Sequence, residues 1–247
     1  MPPWAEAGRV LRGVERWLLP AECLLCESPV SPAADDPLVC ALCRSRWRPI
    51  PDPVCAACGQ PLEAGLDCRI CTAWPAGFTG VRSAVWLTGT ARTAVHHLKY
   101  RGWWRVVEGM APAMRGLPPL RGHVVLVPVP LGAARRRERG YNQSEMLAGA
   151  LSRGLGIPMR TDLLRRTRDT ERQTRLTPDA RWANLSGAFA GRPAGPRRPV
   201  LVDDVFTTGA TLRSAAEALL AAGAPTVGAV TFARAVRPLD DLLASTS

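Results

Sequence analysis

The chain has 247 residues, 47% of them hydrophobic, enough for one large domain or a main domain with a small companion. No run approaches the roughly 20 apolar residues that cross a bilayer. Arg9, Arg12, Glu15 and Arg16 interrupt the first 22 residues, where a signal peptide needs an unbroken apolar centre, so the expected location is cytoplasmic.

Residues 4–19 carry a helical apolar pattern (Trp4, Val10, Leu11, Val14, Trp17, Leu18) that stops at Pro20, which predicts an N-terminal helix over 1–20. All eight cysteines follow, in four C-x-x-C pairs: Cys23/Cys26, Cys40/Cys43, Cys55/Cys58 and Cys68/Cys71. A C-x-x-C turn points two thiolates at one tetrahedral metal, and two turns complete a site. Disulfides are the competing reading, but they do not suit a reducing compartment. A redox C-x-x-C stands once, at a strand-to-helix junction. The spacing therefore predicts two structural Zn²⁺ ions in a double zinc ribbon over 21–75. The sites form either from sequential pairs or in a cross-braced arrangement that joins the first pair to the third. Four sulfurs per metal leave no position open for chemistry. Metal binding would supply the folding energy of a segment with so little core.

Trp74–Gly80, with Pro75 and Gly77, reads as a linker into a main domain over 76–247. There the patterns alternate: a strand over Val81–Leu87, a helix over Ala91–Tyr100, a strand over His123–Val129, a helix over Gln143–Gly154. A strand over Pro199–Asp203, a helix over Ala210–Ala222 and a strand over Thr226–Phe232 complete the series, with Pro193–Pro199 as a turn-rich connector. Such alternation implies an α/β domain with a central, mainly parallel sheet flanked by helices. The formal charge of +11 sits unevenly along it: residues 1–81 sum to −2, 82–198 to +15 and 199–247 to −2. A basic block of this kind suits nucleic acid or a phosphorylated small molecule, or else forms a solvated surface.

The most informative segment is VLVDDVFTTGATL (200–212). An apolar strand feeds Asp203 and Asp204, then a loop Thr207-Thr208-Gly209-Ala210-Thr211, then an amphipathic helix. Ligands collect beyond the carboxyl ends of parallel strands. The start of a helix offers unsatisfied N–H groups and a favourable dipole to an anion. Gly209 lets backbone approach a phosphate where a Cβ would obstruct it. The two acids can accept hydrogen bonds from vicinal hydroxyls, so phosphate and diol together describe a ribose 5-phosphate. No lysine makes a Walker A loop, and no G-x-G-x-x-G is present. An acidic pair that merely ends a strand before a capped helix is the plain structural alternative.

VLVDDVFTTGATL resembles the PRPP-binding motif of type I phosphoribosyltransferases. The chain as a whole resembles the ComF/GntX family, which joins a double zinc ribbon to a domain of that fold. HHLKYRG (His96–Gly102), VPVPLGAARRRERGYNQS (Val127–Ser144) and RRTRDTERQTRLTPDARWANLSGAF (Arg165–Phe189) carry the rest of the likeness. The resemblance implies that Asp203 and Asp204 hold the ribose hydroxyls as the catalytic pair. It implies that Thr207, Thr208, Gly209, Ala210 and Thr211 hold the 5-phosphate, and that Pro130, Leu131 and Gly132 form the pyrophosphate loop. Many relatives carry His-Pro-Arg-Arg-Leu after that Pro-Leu, where this chain has Gly132-Ala133-Ala134-Arg135-Arg136. Arg165–Arg175 corresponds to a mobile loop, and residues of about 78–118 to the acceptor-gripping hood.

Loss of pyrophosphate from PRPP passes through an oxocarbenium-like state, and so anionic a leaving group needs Mg²⁺ and cationic side chains. Lys99, Arg137, Arg139 and Arg168 are the candidate pyrophosphate contacts. His96 and His97 lack metal-ligand neighbours and read as a helix face or hood contact. The resemblance implies a PRPP-binding, phosphoribosyltransferase-like protein (a pentosyltransferase if it turns over) linked to DNA uptake and natural transformation. Two other readings stay open: an accessory protein that binds single-stranded DNA through the basic block and Trp103/Trp104, and a regulator that senses PRPP without turnover.

Overall fold

The computed structural model describes residues 22–30, 38–62, 68, 71, 74–168 and 187–236. The predicted N-terminal helix, and most of the segment read as a mobile loop, lie outside them. The described chain runs through α1 (Ala41–Ser45), β1 (Phe78–Trp86), α2 (Gly89–Tyr100), α3 (Val107–Met114), β2 (Val124–Pro128) and α4 (Ala133–Arg139). It continues with α5 (Gln143–Leu155), β3 (Leu164–Arg166), β4 (Phe189–Gly191), β5 (Arg198–Phe206), α6 (Ala210–Ala221) and β6 (Val227–Arg234).

Four strands form one sheet in the order β1-β6-β5-β2, every neighbouring pair parallel. The central strands β5 and β6 are buried on both faces, as the near-continuous apolar run 200–202 and the wholly buried β6 require. Alternate residues divide the core. Leu126, Val200, Val202 and Val230 pack with α2, α3 and α5, whereas Val127, Leu201 and Ala229 pack with α6 and the β3–β4 hairpin.

The two cysteine clusters enter this core on opposite faces. Cys23, Cys43 and Trp47 join the layer of α2, α3 and α5, and Cys55 and Cys58 join the layer of α6. Between them the chain runs along the free edge of β1. Trp86 N–H donates to Arg48 O at 2.8 Å and Val81 N–H to Ala57 O at 2.7 Å. The edge strand is thereby covered, which removes a row of open pairing groups.

The differences from the predicted elements are informative. β5 does not stop at Asp203 but continues through Phe206, so both acids lie inside a paired strand, with Asp203 opposite Thr231 and Phe206 opposite Arg234. The predicted linker Trp74–Gly80 is not free either. β1 starts at Phe78, and Trp74 stacks on that ring with centroids 4.8 Å apart. Gly80 explains why a glycine-bearing stretch can be strand here. A Cβ at Gly80 would stand 2.6 Å from Ala57 O and 2.9 Å from Ala56 O, so only glycine admits the second ribbon's backbone. Residues 78–86, read as the start of the hood, belong to the sheet as its edge strand. Arg165 and Arg166, read as the start of the mobile loop, are residues of β3. α3 and α4 were not predicted. Pro112 inside α3 and the four arginines of α4 hide the helical apolar period.

Candidate functional site

The eight cysteines form two tetrads, Cys23/Cys26/Cys40/Cys43 and Cys55/Cys58/Cys68/Cys71, with the ligand atoms of each within 4.8 Å of one another. The sequential arrangement is therefore the one adopted, and the cross-braced alternative is excluded. Four sulfurs at about 2.3 Å from a tetrahedral zinc lie about 3.8 Å apart. The Sγ–Sγ distances here include 3.8 Å (Cys26–Cys40), 3.6 Å (Cys55–Cys71) and 3.4 Å (Cys58–Cys68), far from a bonded pair. Backbone N–H groups point at the sulfurs, with Cys40 N 3.4 Å from Cys23 Sγ and Cys43 N 3.3 Å from Cys40 Sγ.

Proton affinities divide within each set. Hydrogen bonds from Ser28 draw Cys26 down to about 6, while burial pushes Cys43 above the ordinary thiol range. In the second set burial pushes Cys58 up to about 11. Four adjacent thiols cannot all ionise without a cation between them. The donor chemistry and the spacing fit two structural zinc ions.

At the carboxyl end of β5 the two acids are held differently. Ser144 Oγ, on α5, donates to Asp203 Oδ1 at 2.8 Å, and Asp204 N–H donates to the same oxygen at 2.9 Å. Burial and then the charge of Asp204 push Asp203 up to about 6, against the pull of Ser144 and Lys99. Asp204 is buried. Its Oδ2 lies 2.9 Å from Lys99 Nζ, yet receives no well-aligned hydrogen bond, so the contact is an ion pair with acceptor capacity to spare. Burial disfavours the lysine's charge, but Asp204 and then Asp203 outweigh it and raise the Lys99 pKa.

Lys99 and Ser144 are brought to the acids by one short segment. Tyr141 OH donates to Leu98 O near the end of α2, fixing the residue beside Lys99. The Asn142 side chain accepts from Ser144 N–H at 3.1 Å, so it caps α5, and it also donates to Val129 O at 3.0 Å. Next to it, Gln143 is buried and its Oε1 has no hydrogen-bond partner.

After Phe206 the loop turns through Thr207, Thr208 and Gly209 into α6. Gly209 has φ +78° and stands at the N-cap of α6, where it has no side chain to close the helix. Thr208 Oγ1 is 3.5 Å from Ala210 N, and Thr207 is exposed. An exposed and a half-buried hydroxyl before the start of α6 are the kind of groups that can receive an anion. Pro130, Leu131 and Gly132 follow β2, beside β5, where Val129 N–H donates to Val202 O at 3.0 Å.

The candidate cations separate. Lys99 is on the acids, not on the loop after β2. The Arg139 guanidinium lies 5.6 Å from the centroid of the Tyr100 ring, with Nη1 buried and unpartnered. Arg137 is exposed on α4, and Arg168 is exposed, its carbonyl accepting from Arg166 Nε at 3.1 Å. Burial and then His96 lower the His97 pKa, consistent with a helix-face residue.

Sequence reasoning missed the roles of Ser144 and Tyr141, although both stand in the segment singled out by resemblance. It also missed Arg234, for which no local signal exists.

A double zinc ribbon domain matches residues 14–72, and a phosphoribosyl transferase domain matches residues 141–241. The class is thus a phosphoribosyltransferase-type α/β domain joined to paired zinc ribbons. The chain is 29% identical over 235 residues to "Competence protein ComFC" of Bacillus subtilis (strain 168), covering 86% of this chain and 94% of that protein. It is 30% identical over 218 residues to "DNA utilization protein YhgH" of Escherichia coli O157:H7, covering 85% and 95%. The chain belongs to the ComF family that these proteins represent. Among solved structures, an orotate phosphoribosyltransferase from Aeropyrum pernix aligns with 62% of this chain and 70% of its own at 20% identity, with a TM-score of 0.33, too low to add to the family match. Among the described residues no helix is long and apolar enough to cross a membrane.

Proposed function

We propose that the carboxyl end of the sheet binds PRPP and that the protein serves the handling of incoming DNA in the cytoplasm. The observation that carries the reading is the acid pair, braced by Ser144 and Lys99, that stands just before a helix start whose N-cap residue, Gly209, offers no side chain. Asp203 and Asp204 accept from the ribose hydroxyls, Thr207–Thr211 cradle the 5-phosphate, and Pro130–Gly132 face the pyrophosphate. Arg139, with its unpartnered nitrogen, is the best-placed arginine for that pyrophosphate, with Arg137 and Arg168 as outer contacts. Asp203, Asp204 and Lys99 together leave one surplus negative charge, which fits the water shell of a Mg²⁺ carried by the pyrophosphate. Bound there, Mg²⁺ would neutralise the leaving group. In turnover the C1–O bond breaks, its electron pair departs on pyrophosphate, and an acceptor nucleophile bonds C1.

The names of the two relatives, a competence protein and a DNA utilization protein, support the link to DNA. One local observation supports single-stranded DNA as a ligand. Tyr100, Trp103 and Trp104 are exposed beside Lys99, at 68%, 47% and 44%, where bases can stack and the surrounding arginines can meet phosphates. Incubation with labelled PRPP, Mg²⁺ and either candidate bases or single-stranded DNA tests the proposal. Pyrophosphate release supports turnover, binding without release supports a sensor, and no binding of PRPP overturns it.

A further inference from the structure

Both halves of the second cysteine tetrad reach the loop that begins α6. From Cys58 the path runs through Arg234, which is 2% exposed at the end of β6. Its Nη1 donates to Cys58 O at 2.8 Å and its Nη2 to Gln60 Oε1 at 2.7 Å. The same guanidinium lies 4.3 Å from the centroid of the Phe206 ring. From Cys71 the path runs through Trp74, whose N–H donates to Cys71 O at 3.2 Å. The two rings converge on Gly209. A Cβ there would meet Phe206 at 3.0 Å and Trp74 at 3.1 Å. Glycine at this position is required twice, by its left-handed φ and by the two rings that press on it.

A buried arginine is held only where its donors are satisfied and its charge is offset. Here two acceptors are a cysteine carbonyl and the Gln60 amide oxygen, both in the turn that shapes the second tetrad, and the π face of Phe206 adds a cation–π contact. If the tetrad loses its ion, the turn 55–60 loses its anchor, Arg234 loses two acceptors, and the ring behind Gly209 loses its support. We infer that Arg234 is a positioning residue through which metal occupancy of the second tetrad, and not of the first, sets the shape of the loop 205–211. The first tetrad has a different attachment: Thr90 Oγ1 donates to Cys43 O at 2.9 Å in the first turn of α2, and Trp47 meets Phe232 edge-on at 5.0 Å. Because binding free energies are reciprocal, whatever fills the loop must in turn protect the second tetrad.

The inference rests on the loop being a ligand site, so the test has one arm that needs no PRPP. Hydrogen–deuterium exchange is compared across the full-length zinc-loaded chain and its Cys26→Ser and Cys71→Ser variants. Loss of the second site should speed amide exchange over 205–213 by tenfold or more, and loss of the first should change it less than twofold. Equal exchange in the two variants overturns the proposal. Arg234→Gln and Gln60→Leu, with both zinc ions retained by mass spectrometry, should reproduce the loosened loop, and Arg234→Lys should rescue part of it. If Cys71→Ser fails to fold, Gln60→Leu decides: unchanged exchange over 205–213 with zinc in place overturns the coupling. In the second arm, PRPP with Mg²⁺ should slow alkylation of Cys55, Cys58, Cys68 and Cys71 under a chelator several-fold, and Arg234→Gln should weaken that protection by at least half, leaving only what passes through Trp74. Protection undiminished in Arg234→Gln overturns the route through Arg234. Exchange that responds as expected while PRPP neither binds nor protects supports the coupling and sinks the PRPP reading instead.

Discussion

The two cysteine tetrads share a ligand set and a spacing pattern, yet they meet the rest of the molecule differently. The first buries Cys23 and Cys43 but leaves Cys26 exposed, and besides its contacts with β1 and β6 it is tied to α2, the helix that delivers Lys99 to Asp204. The second buries Cys55 and Cys58, has none of its four cysteines exposed, and through Arg234 and Trp74 reaches the loop before α6. One ribbon thus stands behind Lys99 and the other behind the loop before α6. Identical metal chemistry can serve different parts of one site, because a metal knuckle exports only rigidity and the packing around it decides where that rigidity is felt.

The comparison is broken or sharpened first at Cys58. Cys58→Ser removes a fully buried cysteine of the second tetrad, and PRPP affinity should fall more than 100-fold or folding should fail. Cys26→Ser should cost less than tenfold, with one zinc retained. Calorimetry and native mass spectrometry read both, and equal losses would erase the distinction. Next, Asp204→Asn keeps shape but removes the charge that faces Lys99. A charge-assisted hydrogen bond contributes about 1.5–3 kcal/mol, so PRPP affinity should fall about 10- to 100-fold. Zinc content should stay at its wild-type ratio, and a variant with lost zinc would move Asp204 from the site to the framework.

A smaller effect separates the two acids. The folded pKa of Asp203 lies above that of an ordinary carboxylate, at about 6, mainly through burial. The folded state therefore binds this proton more tightly than the unfolded chain. Its contribution to stability is lost as pH rises from the ordinary carboxylate range through about 6. The ionised acceptor that a ribose hydroxyl needs is present only above that pH. PRPP affinity should rise between pH 5 and 7, and Ser144→Ala, which removes a hydrogen bond to the ionised form, should move the midpoint upward. A midpoint that stays in place in Ser144→Ala would show that the serine does not act on Asp203.

The smallest expected change is at the first ribbon's attachment. Thr90→Val removes one half-buried hydrogen bond to Cys43 O, a contribution of about 0.5–1.5 kcal/mol. PRPP affinity should weaken two- to fivefold through the looser placement of Lys99. Exchange over 205–213 should be unchanged. A loosened loop in Thr90→Val would mean that the first ribbon also supports the anion receptor.

What the sequence by itself determined is whatever lies in a few consecutive residues. A C-x-x-C turn brings two sulfurs together within its own length, so spacing alone was enough to foresee two four-cysteine clusters. The strand, acid pair, hydroxyl loop and helix of 200–212 are contiguous, and their order is their geometry, save that β5 runs three residues beyond its predicted end at Asp203. Tertiary structure alone decided which tetrad pairing is used, which side chains brace the acids, and where each ribbon's rigidity goes. Ser144 meets Asp203 across 59 positions and Arg234 meets Cys58 across 176. Such contacts follow from which strands become neighbours in the sheet, and that is settled by burying apolar faces over the whole chain rather than by any local pattern. A strand-end arginine aimed at solvent and one stacked on Phe206 beneath the loop before α6 therefore look alike in sequence, and only the packed sheet tells them apart.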